Sequence, residues 1–251
     1  MKKIIKTNLY LLVTMSVVLT ACVKSIQDKT PRVSNFSNSS LVQIYQATVN
    51  ASRNFVYVDA NAINGVAMTS GSVFPSGTGT IASSIPSGLK AFLIRDTLSA
   101  TTQVPLAFAE NMQVGKSYTI FAFDTITTPQ QKTVQTNIVI PTDSTARVRF
   151  ANFVFTRNAV PAVDIFSKKR NANVFTNVQI TEVTEFIPFA SVVNSPLNDT
   201  LFVRETGTTN LLAQLNGFNP TPKRSYTLVF RGRFQNTTGT VARTLSSFVN
   251  Y

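Results

Sequence analysis

The sequence predicts an all-β protein: a signal peptide and a tether, followed by two tandem immunoglobulin-like antiparallel β-sandwiches. Val, Ile, Thr, Phe and Tyr are plentiful, whereas Glu is scarce, and this bias favours strands over helices. Apolar and polar residues alternate with period two in Arg147-Val148-Arg149-Phe150, which is typical of a strand with one buried face. Segments spaced by about 105 residues also resemble one another in the same order, which indicates a tandem duplication.

The N-terminus is predicted to be a lipoprotein signal peptide over residues 1–21. Three lysines fall within the first six residues, and a short apolar run leads to Leu19, Thr20, Ala21 and the single cysteine, Cys22. This order is typical of a secretory signal, and the last four residues resemble a lipobox. The apolar run is about half the roughly 20 residues that a spanning helix needs. We therefore expect Cys22 to carry acyl chains, with an ordinary cleaved signal and a free thiol as the alternative.

The rest of the chain divides into a tether and two repeats. Residues 22–40 are polar and predict a flexible tether, and residues 41–140 and 146–251 form the two repeats. The linker over residues 141–145 is short, which predicts that the two sandwiches lie end to end. Val23, rather than Asp, follows the cysteine, and by resemblance to known sorting rules this favours the outer membrane. The periplasmic and cell-surface faces both stay open.

Composition makes most enzyme classes improbable. The chain has no histidine, and its one cysteine is assigned to lipid, so imidazole and thiolate ligands for zinc or copper are lacking. The Ser-His-Asp and Cys-His groups of nucleophilic catalysis are lacking too. We predict no catalytic residues, no metal site and no cofactor. A glycosidase with two converging carboxyls is the enzyme alternative.

The second repeat resembles the DUF4397 family. The matching segments are Ala146–Asn152, Pro161–Phe166, Val174-Phe175, Glu182–Pro188, Leu201–Arg204 and Tyr226–Val229, and the first repeat is similar to a diverged copy. The resemblance implies an all-β, secreted or surface-exposed module, often found on lipoproteins of Bacteroidetes-type bacteria. It implies no activity and no catalytic residues.

Positive charge is concentrated in the second repeat. Of the formal net charge of +12, residues 146–251 hold twelve Lys and Arg against five Asp and Glu. The residues predicted to bind an anionic ligand are Lys168, Lys169, Arg170, Lys223 and Arg224. Such a patch attracts anionic lipid head groups, acidic glycans or an acidic protein of the envelope. A solvated surface with no ligand is the alternative, and nucleic acid is not predicted as a partner.

Three further sets of residues have both a functional and a structural interpretation. Tyr118 and Tyr226 occupy equivalent places, and we expect buried rings with hydroxyls that cap a corner, rather than ligand-stacking rings. Arg95-Asp96 and Arg204-Glu205 recur, and we expect charge pairs that close strand ends rather than ligand-binding arginines. Asp164 either hydrogen-bonds a loop or binds a cation.

Taken together, the sequence predicts a lipid-anchored, non-catalytic protein of the cell envelope with an adhesive, scaffolding or binding role. Its predicted partners are the membrane, through the lipid on Cys22, and an anionic glycan or an envelope protein.

Overall fold

The all-β prediction is confirmed in the computed structural model, which describes residues 36–76, 82–191 and 198–251. Apart from a short 3-10 turn at Phe36–Asn38, the regular elements in these ranges are strands arranged in four sheets. No helix in these ranges is long and apolar enough to cross a bilayer.

The first half of the chain forms two sheets. Its strands are β1 (Ser39–Gln46), β2 (Asn54–Val58), β3 (Asn61–Ala62), β4 (Val73–Phe74), β5 (Ser83–Pro86), β6 (Gly88–Asp96), β7 (Leu106–Met112), β8 (Ser117–Phe123) and β9 (Gln130–Gln135). One sheet has the order β4-β1-β8-β9, with β5 also paired to β1, and the other has the order β3-β2-β6-β7. Strands β1 and β8 run parallel, whereas β1 is antiparallel to β4 and β5.

The second half repeats this arrangement with one strand fewer, because a single antiparallel strand rather than two lies beside its first strand. Its strands are β10 (Ala146–Phe155), β11 (Val163–Ser167), β12 (Ala172–Val178), β13 (Ile187–Phe189), β14 (Asp199–Glu205), β15 (Leu211–Phe218), β16 (Ser225–Arg233) and β17 (Thr244–Val249). The sheets have the orders β13-β10-β16-β17 and β12-β11-β14-β15, and β10 and β16 run parallel. We call the sheets that contain β1 and β10 the inner sheets, and the other two the outer sheets.

The strand order differs from that of the immunoglobulin fold. There the first two strands are neighbours in one sheet, whereas here β1 and β2 lie in different sheets, as do β10 and β11. The alternating pattern identifies a strand and its buried face. It does not specify which neighbour the strand pairs with, so the sequence could not supply the order.

Each pair of sheets encloses its own apolar core. Val42, Ile44 and Ile120 of the first inner sheet pack with outer-sheet residues such as Val56 and Ile94. In the second half, the corresponding cluster includes Val148, Phe150 and Phe230 of the inner sheet with Ile165 and Val203 of the outer sheet. Full burial of such a side chain contributes about 1.5–3 kcal/mol relative to exposure.

The two inner sheets pack face to face, so the predicted end-to-end arrangement is wrong. A third apolar cluster joins Tyr45, Ala47, Phe121 and Phe123 of the first half to Ala151, Phe153, Val229 and Phe248 of the second half. The rings of Phe121 and Phe153 stack with centroids 4.6 Å apart. Both faces of the central strands β1, β8, β10 and β16 are therefore largely buried, and side-by-side packing removes their second apolar face from water.

All the central inner strands begin at one end of the structure. The side-chain amide of Gln43 donates to the Val249 carbonyl at 2.8 Å, and the Tyr45 hydroxyl lies 2.6 Å from the Ser246 hydroxyl. Because β17 runs antiparallel to β16, these contacts align β1 with β16. We call the end at which β1, β8, β10 and β16 begin the entry end. Strand β1 itself begins at Ser39, inside the predicted tether, because Ser39 and Ser40 pair with β5.

Candidate functional site

The structure brings the five residues predicted to bind an anion to one end of the second half. Lys168, Lys169 and Arg170 form the turn between β11 and β12, and Lys223 and Arg224 directly precede β16. All five residues are exposed. We call these five residues the basic cluster.

Two observations place both turns at the entry end. The Arg170 guanidinium carbon lies 4.1 Å from the centroid of the Phe189 ring, and Phe189 pairs with Ala146, the first residue of β10. Arg224 is followed by Ser225, the first residue of β16. Arg147, which follows Ala146, pairs with Ser225, so β10 and β16 begin side by side. The two turns therefore lie next to the same pair of strand ends.

A buried carboxylate holds the first of these turns in shape. Asp199 is fully buried and accepts hydrogen bonds from the Ser167 hydroxyl and, at 3.0 Å, from the Lys169 amide. The Arg170 amide donates to the Ser167 hydroxyl at 3.1 Å. Partial desolvation lowers the pKa of the Arg170 guanidinium, and the charge of Asp199 opposes that effect. The backbone of the turn is therefore fixed, while the Lys168 and Lys169 side chains are free of its hydrogen bonds.

The basic cluster has no ion-pair partner among the described residues. The ion pairs in these ranges join Arg53 to Asp96 at 2.9 Å and Lys90 to Asp59 at 2.7 Å, and both lie in the first half. Asp199 offsets part of the charge at Arg170, and the rest of the cluster's charge is balanced by solvent and salt, or by a bound anion.

Other arginines of the second repeat are committed to contacts elsewhere. Arg231 donates to the Tyr45 hydroxyl at 3.1 Å across the inner-sheet interface. Arg243 donates to the carbonyls of Leu212 and Phe234, each at 2.7 Å. These two residues therefore do not extend the basic cluster.

The expected charge pairs Arg95-Asp96 and Arg204-Glu205 do not form, so that prediction is wrong. Consecutive residues of a strand point to opposite faces. The Arg95 guanidinium lies 4.9 Å from the Tyr57 ring centroid, and that of Arg204 lies 3.8 Å from the Phe166 ring centroid. Arg95 and Arg204 thus lie over aromatic rings on equivalent strands of the two outer sheets.

The predicted corner caps are confirmed for both tyrosines, whereas the ring is buried at Tyr118 and only half-buried at Tyr226. The Tyr118 hydroxyl accepts a hydrogen bond from the Gln113 amide at 3.1 Å, and the Tyr226 hydroxyl accepts one from the Thr221 amide at 2.9 Å. In both cases the donor is the backbone of the preceding turn. Each tyrosine caps the corner that leads into the strand that contains it.

Asp164 accepts hydrogen bonds from loops, as the first of its two interpretations predicts. Its carboxylate accepts from the Asn177 amide at 2.8 Å and the Thr206 hydroxyl at 2.8 Å. It also accepts from the Asn173 side chain at 3.0 Å and the Gly207 amide at 3.3 Å. All these donors belong to the protein, so Asp164 connects the β11–β12 region to the turn after β14.

The sequence did not identify Arg149 as an interface residue, and the structure shows it buried between the inner sheets with 3% of its surface exposed. Its guanidinium donates to the hydroxyls of Thr227 at 2.8 Å, Thr119 at 2.8 Å and Thr136 at 3.3 Å. Burial lowers the pKa of Arg149 to about 10, and the charge of Glu185 opposes this shift. Arg149 thus joins the two halves and fixes the basic cluster relative to β1. The signal in the sequence was the apolar character of both faces of Ile120-Phe121-Ala122-Phe123.

The carboxylates of the described residues form no metal cluster, and the cleft that contains Asp124 holds no second carboxylate. No three Asp, Glu, His or Cys side chains in these ranges are grouped to hold a metal ion. A cleft of about 200 Å³ at the end opposite the entry end contains Asp124, whose oxygens accept from Thr128 and Gln130. None of the other residues that line this cleft has a carboxylate.

The predicted lipidation site, Cys22 with Leu19, Thr20 and Ala21, lies outside the described residues, and it stays a prediction. No family model matches the chain, and no curated protein matches it. The resemblance to the DUF4397 family therefore also stays a prediction.

Proposed function

We propose that the chain is a lipid-anchored, non-catalytic binding protein of the bacterial cell envelope, held in the outer membrane by acyl chains on Cys22. The arrangement of charge, apolar run and lipobox-like residues in the first 22 positions supports the anchor. Two or more acyl chains make such anchoring effectively stable. The DUF4397 resemblance supports the same surface-exposed class of protein. We further propose that each half is a sandwich domain of the immunoglobulin-like class, with its own strand order.

The observation that supports a binding role is the basic cluster. Its five exposed cations lie together on a turn fixed by Asp199 and beside the start of β16, and none has an ion-pair partner in the described ranges. An anionic partner gains charge-assisted hydrogen bonds there without breaking any internal ion pair. In the alternative, the same five residues bind an anionic polysaccharide or acidic glycan instead of an envelope protein.

Metabolic labelling with a palmitate analogue tests the anchor. We expect the chain to incorporate label and to fractionate with membranes, and we expect a Cys22→Ser variant to lose both properties. Label in the Cys22→Ser variant, or an unmodified mature N-terminus by mass spectrometry, would contradict the proposal.

Retention on an anionic polysaccharide column tests the glycan alternative. We expect elution below about 0.3 M salt, because screening weakens exposed charges at that ionic strength. A Lys168→Ala/Lys169→Ala/Arg170→Ala variant should elute earlier than a Lys132→Ala control. An absence of retention at low salt would exclude this ligand.

A further inference from the structure

The chain enters the folded part at the end that holds the basic cluster. Strand β1 begins at Ser39, runs parallel to β8, and is aligned with β10 and β16 through the inner-sheet interface. The basic cluster lies where β10 and β16 begin, and exposed Lys116 directly precedes β8. The covalent path to Cys22 and the exposed cations are therefore at the same end.

The connection from Cys22 to Ser39 is short enough to keep this end near the anchor. Even a fully extended chain covers at most about 3.5 Å per residue, so the 17 residue steps from Cys22 to Ser39 reach no further than about 60 Å. Such a connection converts contact with the anchoring membrane into an intramolecular event. Contacts between the entry end and the membrane can therefore form even when each one is weak.

The cations at this end match an anionic membrane surface in their chemistry. Head-group phosphates accept hydrogen bonds from ammonium and guanidinium groups, and each basic residue close to an anionic bilayer adds roughly a fivefold preference. The acids at the same end cancel only part of this charge. Asp59 is paired with Lys90, which leaves Asp199 beneath its turn and Asp143, which accepts from the Thr145 hydroxyl, against five cations.

We propose that the entry end is a membrane-facing surface, on which Lys168, Lys169, Arg170, Lys223 and Arg224 bind anionic head-group phosphates. This inference depends on the proposed lipid anchor. The contact orients the two halves together, because Arg149 and the aromatic cluster join them into one compact unit over residues 36–251. The opposite end, with the cleft beside Asp124, then faces away from the bilayer.

Amine acetylation of the lipidated full-length protein on vesicles tests the orientation. The protein is reconstituted into neutral phosphatidylcholine vesicles and into vesicles with about 30% phosphatidylglycerol. On the anionic vesicles we expect acetylation of Lys168, Lys169 and Lys223 to slow about threefold or more, and to recover at about 0.5 M salt. Lys132 lies away from the cluster and donates a hydrogen bond to the Thr181 carbonyl at 2.7 Å. It should react at the same rate on both kinds of vesicle.

A charge-reversed pair of variants separates location from net charge. Lys168→Glu/Lys169→Glu should abolish the protection of Lys223 on anionic vesicles. Arg95→Glu/Arg157→Glu changes the net charge equally at exposed positions outside the entry end and should leave that protection intact. Equal loss of protection in both variants would overturn the inference.

The remaining outcomes distinguish the two proposals. Equal acetylation on neutral and anionic vesicles, with the protein still retained by both, would overturn the membrane-facing surface and leave the anchor in place. Release of the protein from both kinds of vesicle would contradict the anchor itself. Protection by soluble heparin but not by anionic vesicles would assign the basic cluster to a glycan instead.

Discussion

Substitution of Arg149 tests whether a buried guanidinium with no ion-pair partner stabilises the contact between the two halves. Burial lowers the pKa of Arg149 to about 10, which corresponds to a penalty of about 3 kcal/mol on its charged form. Three hydrogen bonds to threonine hydroxyls oppose this penalty. At the low end of the range for charged donors, about 1.5 kcal/mol each, they contribute about 4–5 kcal/mol. The net contribution of the charge is therefore about 1–2 kcal/mol.

The hydroxyls that Arg149 binds have other partners, which limits the cost of removing it. Thr119 and Thr136 lie 2.7 Å apart, hydroxyl to hydroxyl, and the Thr227 hydroxyl donates to the Asn250 side chain at 2.5 Å. Arg149→Met keeps most of the aliphatic stem and should lower the free energy of unfolding by only about 1–2 kcal/mol. Arg149→Ala also removes buried methylenes, at about 0.8 kcal/mol each, and leaves a cavity, for a loss of about 3–5 kcal/mol.

Urea denaturation followed by circular dichroism measures these differences. Arg147→Met, two residues earlier on the same strand, is the control and should change the free energy of unfolding by less than about 0.5 kcal/mol. If Arg149→Met is as destabilising as Arg149→Ala, the hydrogen bonds outweigh packing, and the charge contributes far more than about 1–2 kcal/mol.

Three further substitutions test other parts of the fold. Phe153→Ala leaves a cavity between the inner sheets and should lower the free energy of unfolding by about 3–5 kcal/mol in urea; a loss under 1 kcal/mol would contradict the apolar interface. Gly232→Ala should cost at least about 2 kcal/mol by the same assay, because φ is +92° and a Cβ would lie 2.2 Å from the Ala242 carbonyl oxygen; an unchanged stability would show that the strand adapts. A hydrogen bond from Arg53, above all, lowers the pKa of Asp96 to about 2. Since the folded pKa is below the unfolded one, this stabilisation is present above about pH 4 and is lost as the pH falls towards 2. Acid titration of the wild type and Asp96→Asn should show a difference in stability that closes in this window, and a constant difference down to pH 2 would contradict the assignment.

The sequence predicted the strands and their core faces because period two is a local property. Val148 and Phe150 are buried in the core as their alternation predicts. The opposite face was expected to be wet, and there the prediction failed for Arg149, which is buried against the other half. A strand pattern shows that two faces differ, but a charged residue on the second face gives no indication that another sheet covers it.

The same limit applies to the candidate site. The sequence predicted an exposed loop at Lys168–Arg170, and local chemistry is enough for that prediction. That the loop shares one end with Lys223 and with the start of β1 follows from sheet order and from packing between the halves. Those are long-range properties that one sequence does not contain in readable form. The corner tyrosines, by contrast, depend on the turn immediately before them and were predicted correctly.

The internal duplication supplies a control for the basic cluster, because the fold is the same in both halves and the charge is not. Gln43 pairs with Thr119 in the first inner sheet as Arg149 pairs with Thr227 in the second, so equivalent faces meet at the interface, as in an isologous dimer. The turn equivalent to Lys168–Arg170 follows β2, and there Asp59 binds Lys90 in an ion pair. Since the first half makes this turn with a paired acid, the fold itself does not require three unpaired cations. The cluster is therefore not a requirement of the fold, as the proposed binding role predicts.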